Sequence, residues 1–219
     1  MTKFDITQVN VAVRRLLEQT VNPRHRYLLQ AYDRHRLLEI SGRVDDIFTP
    51  EMTVEHPVYH FHALGLSTTL EGRDAIESLY RDWAQTGQCV MFAENEQVAV
   101  ADNFIASWIP TAYQFMPGQV LRALGFDVDD ENAMYVYKAQ EEMVWPYDDR
   151  GRLIGEDVWE VESAKAEIIK LDPADVITPQ EAAEKLAPLI HPLPSFDEAV
   201  AGREVVPGSP VGQRKVVTG

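Results

Sequence analysis

The hydrophobic pattern of the chain changes period near residue 87. In "GRDAIESLYRDWAQTG", Ile76, Leu79, Tyr80 and Trp83 fall on one helical face and Gly87 ends the run. Two helices are expected before it. "DITQVNVAVRRLLEQT" has Asp5 and Gln8 in capping-box spacing. "NPRHRYLLQAYDRHRLLEISG" offers Asn22 as cap, Pro23 for the first turn, Gly42 as terminator and a stripe of Leu28, Ala31, Tyr32, His35 and Leu38. "RVDDIF" reads as a helical turn, and "EMTVEHPV" as a strand closed by Pro57.

After Gly87 the apolar residues alternate. "VMFAENEQVAV", the turn "ADN" and "FIASWIPTAYQF" predict one hairpin. "MYVYKAQEEMVW", "YDDRG" and "RLIGEDVWEV" predict another, with a small helix and an acidic loop in "MPGQVLRALGFDVDDEN" between them. Near the end Thr178, Pro179 and Glu181 mark a further helix start. Residues 192–219 have no periodicity and read as a tail. Helices followed by antiparallel strands define an α+β fold, with helices on one face of a curved sheet whose concave side can hold a pocket.

Composition narrows the partners. The chain has 219 residues, 45% hydrophobic and 25% charged, as in globular proteins. Thirty-five acidic against twenty basic residues, a formal charge of −15, repel phosphate backbones and anionic lipid, so neither nucleic acid nor a membrane surface is an expected partner. The single cysteine, Cys89, allows no internal disulfide, which fits a reducing cytoplasm. There is no signal-type apolar run at the start, no phosphate loop, no dinucleotide fingerprint and no nucleophile elbow; "FDVDDEN" does not fit a calcium loop.

Three stretches in order, "DDIFTPEMTVEHPV", "LEGRDAIESLYRDWA" and "YDDRGRLIGEDVWE", resemble the nuclear transport factor 2-like superfamily, with its SnoaL-like polyketide cyclases and ketosteroid isomerases. The resemblance covers roughly residues 25–162. It implies a cone: a bent antiparallel sheet wrapped on N-terminal helices and enclosing an apolar pocket. The expected organisation is an N-terminal helix over 1–20, the cone domain over 21–165, and a C-terminal helix and extended tail over 166–219. Because the superfamily holds isomerases, cyclases, dehydratases, epoxide-opening enzymes and binders, the fold alone leaves function open.

Carried over residue by residue, the isomerase pattern puts His56 of "VEHPV" in the place of the catalytic Asp. Tyr32 on the long helix is the donor to a substrate oxygen, and Glu141 of "AQEEMVW" is the second oxygen-holding acid. The imidazole is a departure from the isomerase carboxylate. An imidazole with a reference pKa of ~6.5 accepts protons near neutrality, although a histidine bonded to a backbone carbonyl would look the same in sequence. The Asp–Arg–Asp set of limonene epoxide hydrolase, a relative, is matched only by Asp157, since the preceding strand offers Lys138 and no Arg. A looser overall likeness links the chain to pinene oxide lyase.

The residues themselves leave several alternatives open. His60 and His62 form H-x-H on one strand face, a spacing metal sites use, but no third ligand lies near; a His-rich loop after Pro57 is the alternative. Glu141 shares a strand face with Tyr135, Tyr137, Met143 and Trp145, where burial would raise its pKa. Asp157 competes with Glu156, because a slip of one residue exchanges the faces of the last strand. His60, Tyr80, Trp83, Trp108, Tyr113, Trp145 and Trp159 are candidate pocket contacts, with Phe115 as further apolar wall. The expectation is a homodimeric, cofactor-independent, metal-free acid–base isomerase, lyase or dehydratase. It would act, with epoxide opening among the reactions in range, on a small apolar oxygenated molecule such as a terpenoid, steroid-like or polyketide compound. The alternative is a non-catalytic binder or subunit-type protein of the same fold.

Overall fold

The computed structural model describes residues 4–201. Its helices are α1 (Val11–Gln19), α2 (Pro23–Ile40), α3 (Arg73–Thr86), α4 (Gly118–Ala123), α5 (Pro179–Leu186) and α6 (Phe196–Val200). Its strands are β1 (Thr53–Ala63), β2 (Leu66–Glu71), β3 (Met91–Glu94), β4 (Gln97–Val100), β5 (Phe104–Pro117), β6 (Met134–Pro146), β7 (Leu153–Val161) and β8 (Glu167–Lys170). The expected α+β layout is present. No helix among the described residues is long and apolar enough to cross a membrane.

The helix signals act as read. Asn22 accepts hydrogen bonds from Arg24 and His25, Gly87 closes α3 in the left-handed conformation, and Thr178 and Glu181 form a reciprocal capping box on α5. The first helix differs. Asp5 caps only a short 3-10 turn, Ile6–Gln8, and α1 starts afresh at Val11. The break is at Asn10, whose φ is 64° and whose amide donates to the carbonyl and carboxylate of Asp33.

The strands form one curved, unclosed sheet in the order β2-β1-β7-β6-β5-β3, with β4 also pairing with β5 and β8 with β6. The expectation of an all-antiparallel sheet is corrected here: β1 runs parallel to β7. Alternation in sequence reports the faces of a strand but not its direction, so the pattern could not reveal this pair. Pro57 does not close β1. Pairing with β7 shifts between Thr53 and Val58, so β1 advances from 53 to 58 while β7 advances from 153 to 155. A proline in such a bulge forfeits no ladder bond. The stretch after it, expected as a loop in one reading, is strand through Ala63.

Cross-strand registers sort the sheet into two faces. Tyr59 and Phe61 stand beside Glu156 and Val158; Val158 stands beside Met143; Glu141 and Trp145 pair with Ile109 and Ile105. This set faces the helices. Its core includes Leu28, Tyr32, Ile76, Tyr80 and Trp145, all buried. The other face carries His60, His62, Glu142, Asp157, Trp159 and Trp108. At the C-terminal end Phe196 of α6 packs edge-on against Tyr27 at 5.1 Å. The rest of the predicted tail, 202–219, lies outside the described residues.

Candidate active site

A cavity of about 370 Å³ lies between the inner sheet face, α2 and α3. Its walls include Phe61, Trp83, Phe92, Met143, Trp145 and Val158. Four carboxyl residues also line it: the exposed Asp82 of α3, and three on inward positions, Glu39 from α2, Glu141 from β6 and Glu156 from β7. Helical spacing explains Glu39, which follows Tyr32 and His35 on one face of α2. Strand alternation explains Glu141 and Glu156, each on the inward parity of its strand.

The surroundings of the three differ. Burial is the main cause that lifts Glu141 to about 7, with Glu160 adding to the rise and Arg36 opposing it. Burial also holds Glu39 well above the ordinary carboxylate range, reinforced first by Glu156; Arg36 again opposes. Glu156, itself buried, accepts a 2.8 Å hydrogen bond from the Tyr80 hydroxyl and lies 3.3 Å from His35 Nε2. Glu156 thus sits in a ready-made acceptor position, while Glu141 has its proton within reach at neutral pH.

Arg36 is the one Lys or Arg side chain among the residues lining the cavity. Its guanidinium lies 2.6 Å from Glu96, with both side chains nearly buried. Glu96 also accepts from Ser107 at 2.6 Å and from Tyr32 at 3.3 Å, and Arg36 donates to the Tyr32 hydroxyl at 3.1 Å. The arginine charge is therefore largely committed to Glu96. Trp145, 1% exposed, lines the cavity and its indole N–H has no partner among the described residues. That nitrogen has almost no accessible surface, so it is an unpaired polar atom of the core behind the cavity wall and not a donor presented to the cavity.

The expected site residues divide. Glu141, Trp83, Tyr113 and Trp145 line the cavity. Tyr80 lies behind it, holding Glu156, and Tyr32 is buried in the Arg36–Glu96 network. His56 is exposed and does not line the cavity, so His56, Tyr32 and Glu141 do not share it; on β1 it has the parity of the outward His60, opposite to the inward Tyr59 and Phe61. Asp157 is on the outer face, where its carboxylate meets His60 Nδ1 at 2.5 Å, and Glu156 takes the inward place. His60, Trp108 and Trp159 are likewise on the outer face, and His62 stacks on Trp159 at 5.7 Å. No group of three His, Cys, Asp or Glu among the described residues is arranged to hold a metal ion.

Sequence reasoning missed Arg36, Glu39 and Glu96. A signal existed for the first two: the stripe through Tyr32 and His35 continues to Glu39, and Arg36 adjoins it. For Glu96, in the turn between β3 and β4, the sequence carries no such sign.

No family model and no curated protein matches the sequence. Among solved structures the chain is similar to SalBIII, an epoxide hydrolase/cyclase-like enzyme described with a role in pyran ring formation in polyether salinomycin. The identity is 15%, the TM-score 0.47, and the match covers 66% of this chain and 95% of that one. It is also similar to an NTF2-like protein from Anabaena variabilis, at 8% identity and a TM-score of 0.36, over 58% of this chain and 91% of that one.

Proposed function

We propose that the protein is a cofactor-independent acid–base enzyme that breaks or rearranges a carbon–oxygen bond in a small, largely apolar molecule. The observation that carries this reading is the convergence of Glu39, Glu141 and Glu156 on one mainly apolar cavity, with Glu141 lifted to about 7. Glu141 in its acid form gives its proton to the substrate oxygen. The Glu156 carboxylate, positioned by Tyr80 and His35, takes a proton from a neighbouring carbon or from water. Terpenoid, steroid-like and polyketide compounds with an epoxide, hydroxyl or carbonyl fit this description.

Turnover of a panel of terpene epoxides, tertiary alcohols and enones tests it. Conversion of any member, lost in Glu141→Gln, supports the reading; stoichiometric binding with no turnover of any member favours the second reading, a binder of the same fold. A homodimer through the sheet is part of the same proposal. The outer face exposes Phe104, Trp108 and Trp159 at 43%, 41% and 40%, and sedimentation equilibrium reporting a monomer at tens of micromolar would remove it.

A further inference from the structure

The carboxyl groups around the cavity outnumber the cations that face them. Glu39, Glu141 and Glu156 line it, Asp82 stands among its lining residues, and Arg36 is already matched by Glu96 at 2.6 Å. The remaining walls are mainly apolar and aromatic, with Trp83, Trp145, Phe61 and Phe92 presenting rings, and their polar members Thr68, Gln88, Tyr113 and Gln114 are neutral. Such walls bring no further positive charge to a developing anion. Ring faces and carboxylates both attract a cation.

We propose that the charge this cavity is built to hold is positive: its ligand is an apolar organic cation, or a substrate whose carbon becomes cationic as its carbon–oxygen bond breaks. The inference rests on the proposed function and deepens it. In the reacting case the Glu141 carboxyl transfers its proton to the substrate oxygen. The bond's electron pair leaves with that oxygen as a neutral hydroxyl, and the carbon keeps the positive charge. The charge is then discharged when a neighbouring C–H gives its proton to Glu156 and its electrons form a double bond, or when water adds and loses a proton to Glu156. Substrates that ionise readily, with the oxygen on a tertiary or allylic carbon, follow. Enone isomerisation through an enolate is disfavoured, because the enolate would face three carboxyl groups.

Protons and an organic cation compete for the same negative groups, and that makes the inference measurable. The titratable and charged groups around Glu141 are His35, Arg36 and Glu39 on α2, Tyr80 and Asp82 on α3, Tyr59 on β1, Glu96 before β4, Tyr113 on β5, Tyr137 on β6, and Glu156 and Glu160 on β7. With Glu141 near 7, a permanently charged ligand meets a carboxylate in about a tenth of molecules at pH 6 and about nine-tenths at pH 8. Calorimetric titration of the full chain with benzyltrimethylammonium and with its uncharged carbon isostere, neopentylbenzene, reads this directly. The cation is expected to bind about tenfold tighter at pH 8 than at pH 6, the isostere equally at both. Glu141→Gln is expected to weaken the cation and flatten its pH dependence while sparing the isostere. If the isostere binds at pH 8 as tightly as the cation, or the cation shows no pH dependence in the wild type, the inference is overturned and the proposed function stands. If neither binds, the cavity is not a ligand site and both fall together. The wild-type pH series decides the matter even if a variant does not fold.

Discussion

Glu156 and Asp157 are neighbours in the chain with opposite fates. One is buried beside Tyr80 and His35, the other half-exposed against His60. Their order follows from registry with β1, which places Glu156 opposite Tyr59 and Asp157 opposite His60. Nothing local in "LIGEDVWEV" selects between the two, since shifting a strand by one residue inverts its faces. Glu141 was legible because its strand alternates cleanly with aromatic residues on the buried side. For His56 the resemblance supplied a role, while its parity on β1, that of the outward His60, puts the side chain on the exposed side. Two outcomes are expected. Glu141→Gln should lower kcat on any converted substrate by roughly 10²–10⁴, as loss of a general acid does, with the melting temperature at pH 7 kept or raised. His56→Ala should leave both turnover and stability within about 0.5 kcal/mol of wild type, as for other exposed positions. A large loss of kcat in the alanine variant would return His56 to the site.

At the scale of elements, the long helices and strands were readable because their caps and periodicities are local. Asn22–Pro23, Gly87 and Thr178–Pro179 mark boundaries through bonds made within a few residues. The shorter pieces were not readable. β8 is four residues on the margin of β6, and β2 is mostly exposed, so neither has a two-sided pattern. The parallel pair β1–β7 is the least legible feature and the one that positions Glu156. Its tightest point is Gly155, where an added Cβ would collide with the Val58 carbonyl oxygen. Gly155→Ala should therefore destabilise the fold by about 3 kcal/mol through forced separation of the two strands. Thermal unfolding measures this. Unchanged stability would mean the strands part easily and that Glu156 is not rigidly held.

For the whole molecule, burying two carboxyls with raised pKa sets the sign of the pH dependence of stability. Glu141 and Glu39 both hold protons more tightly when folded than when unfolded. Between the unfolded and folded pKa values the native state binds more protons, so stability is greatest below about 4.5 for these groups and falls as pH rises. For Glu141 the rise from its ordinary 4.5 to about 7 corresponds to at most about 3 kcal/mol, fully lost above pH 7 or so. Glu39 adds to the loss in the same direction. About 2.5 kcal/mol of this is lost between pH 5 and pH 8, and a chain of this length shifts its melting temperature by roughly 2–4 °C per kcal/mol, so a fall on the order of 5–10 °C is expected from Glu141 alone. Surface repulsion in a chain of charge −15 could produce a similar slope, but salt screens exposed charges and leaves buried ones nearly untouched. The scan is therefore run at both low and high salt. A slope that persists in high salt and shrinks in Glu141→Gln assigns it to the cavity. A slope that salt abolishes, or a melting temperature that rises from pH 5 to pH 8, would show that Glu141 is ionised in the native state at neutral pH and cannot serve as the acid.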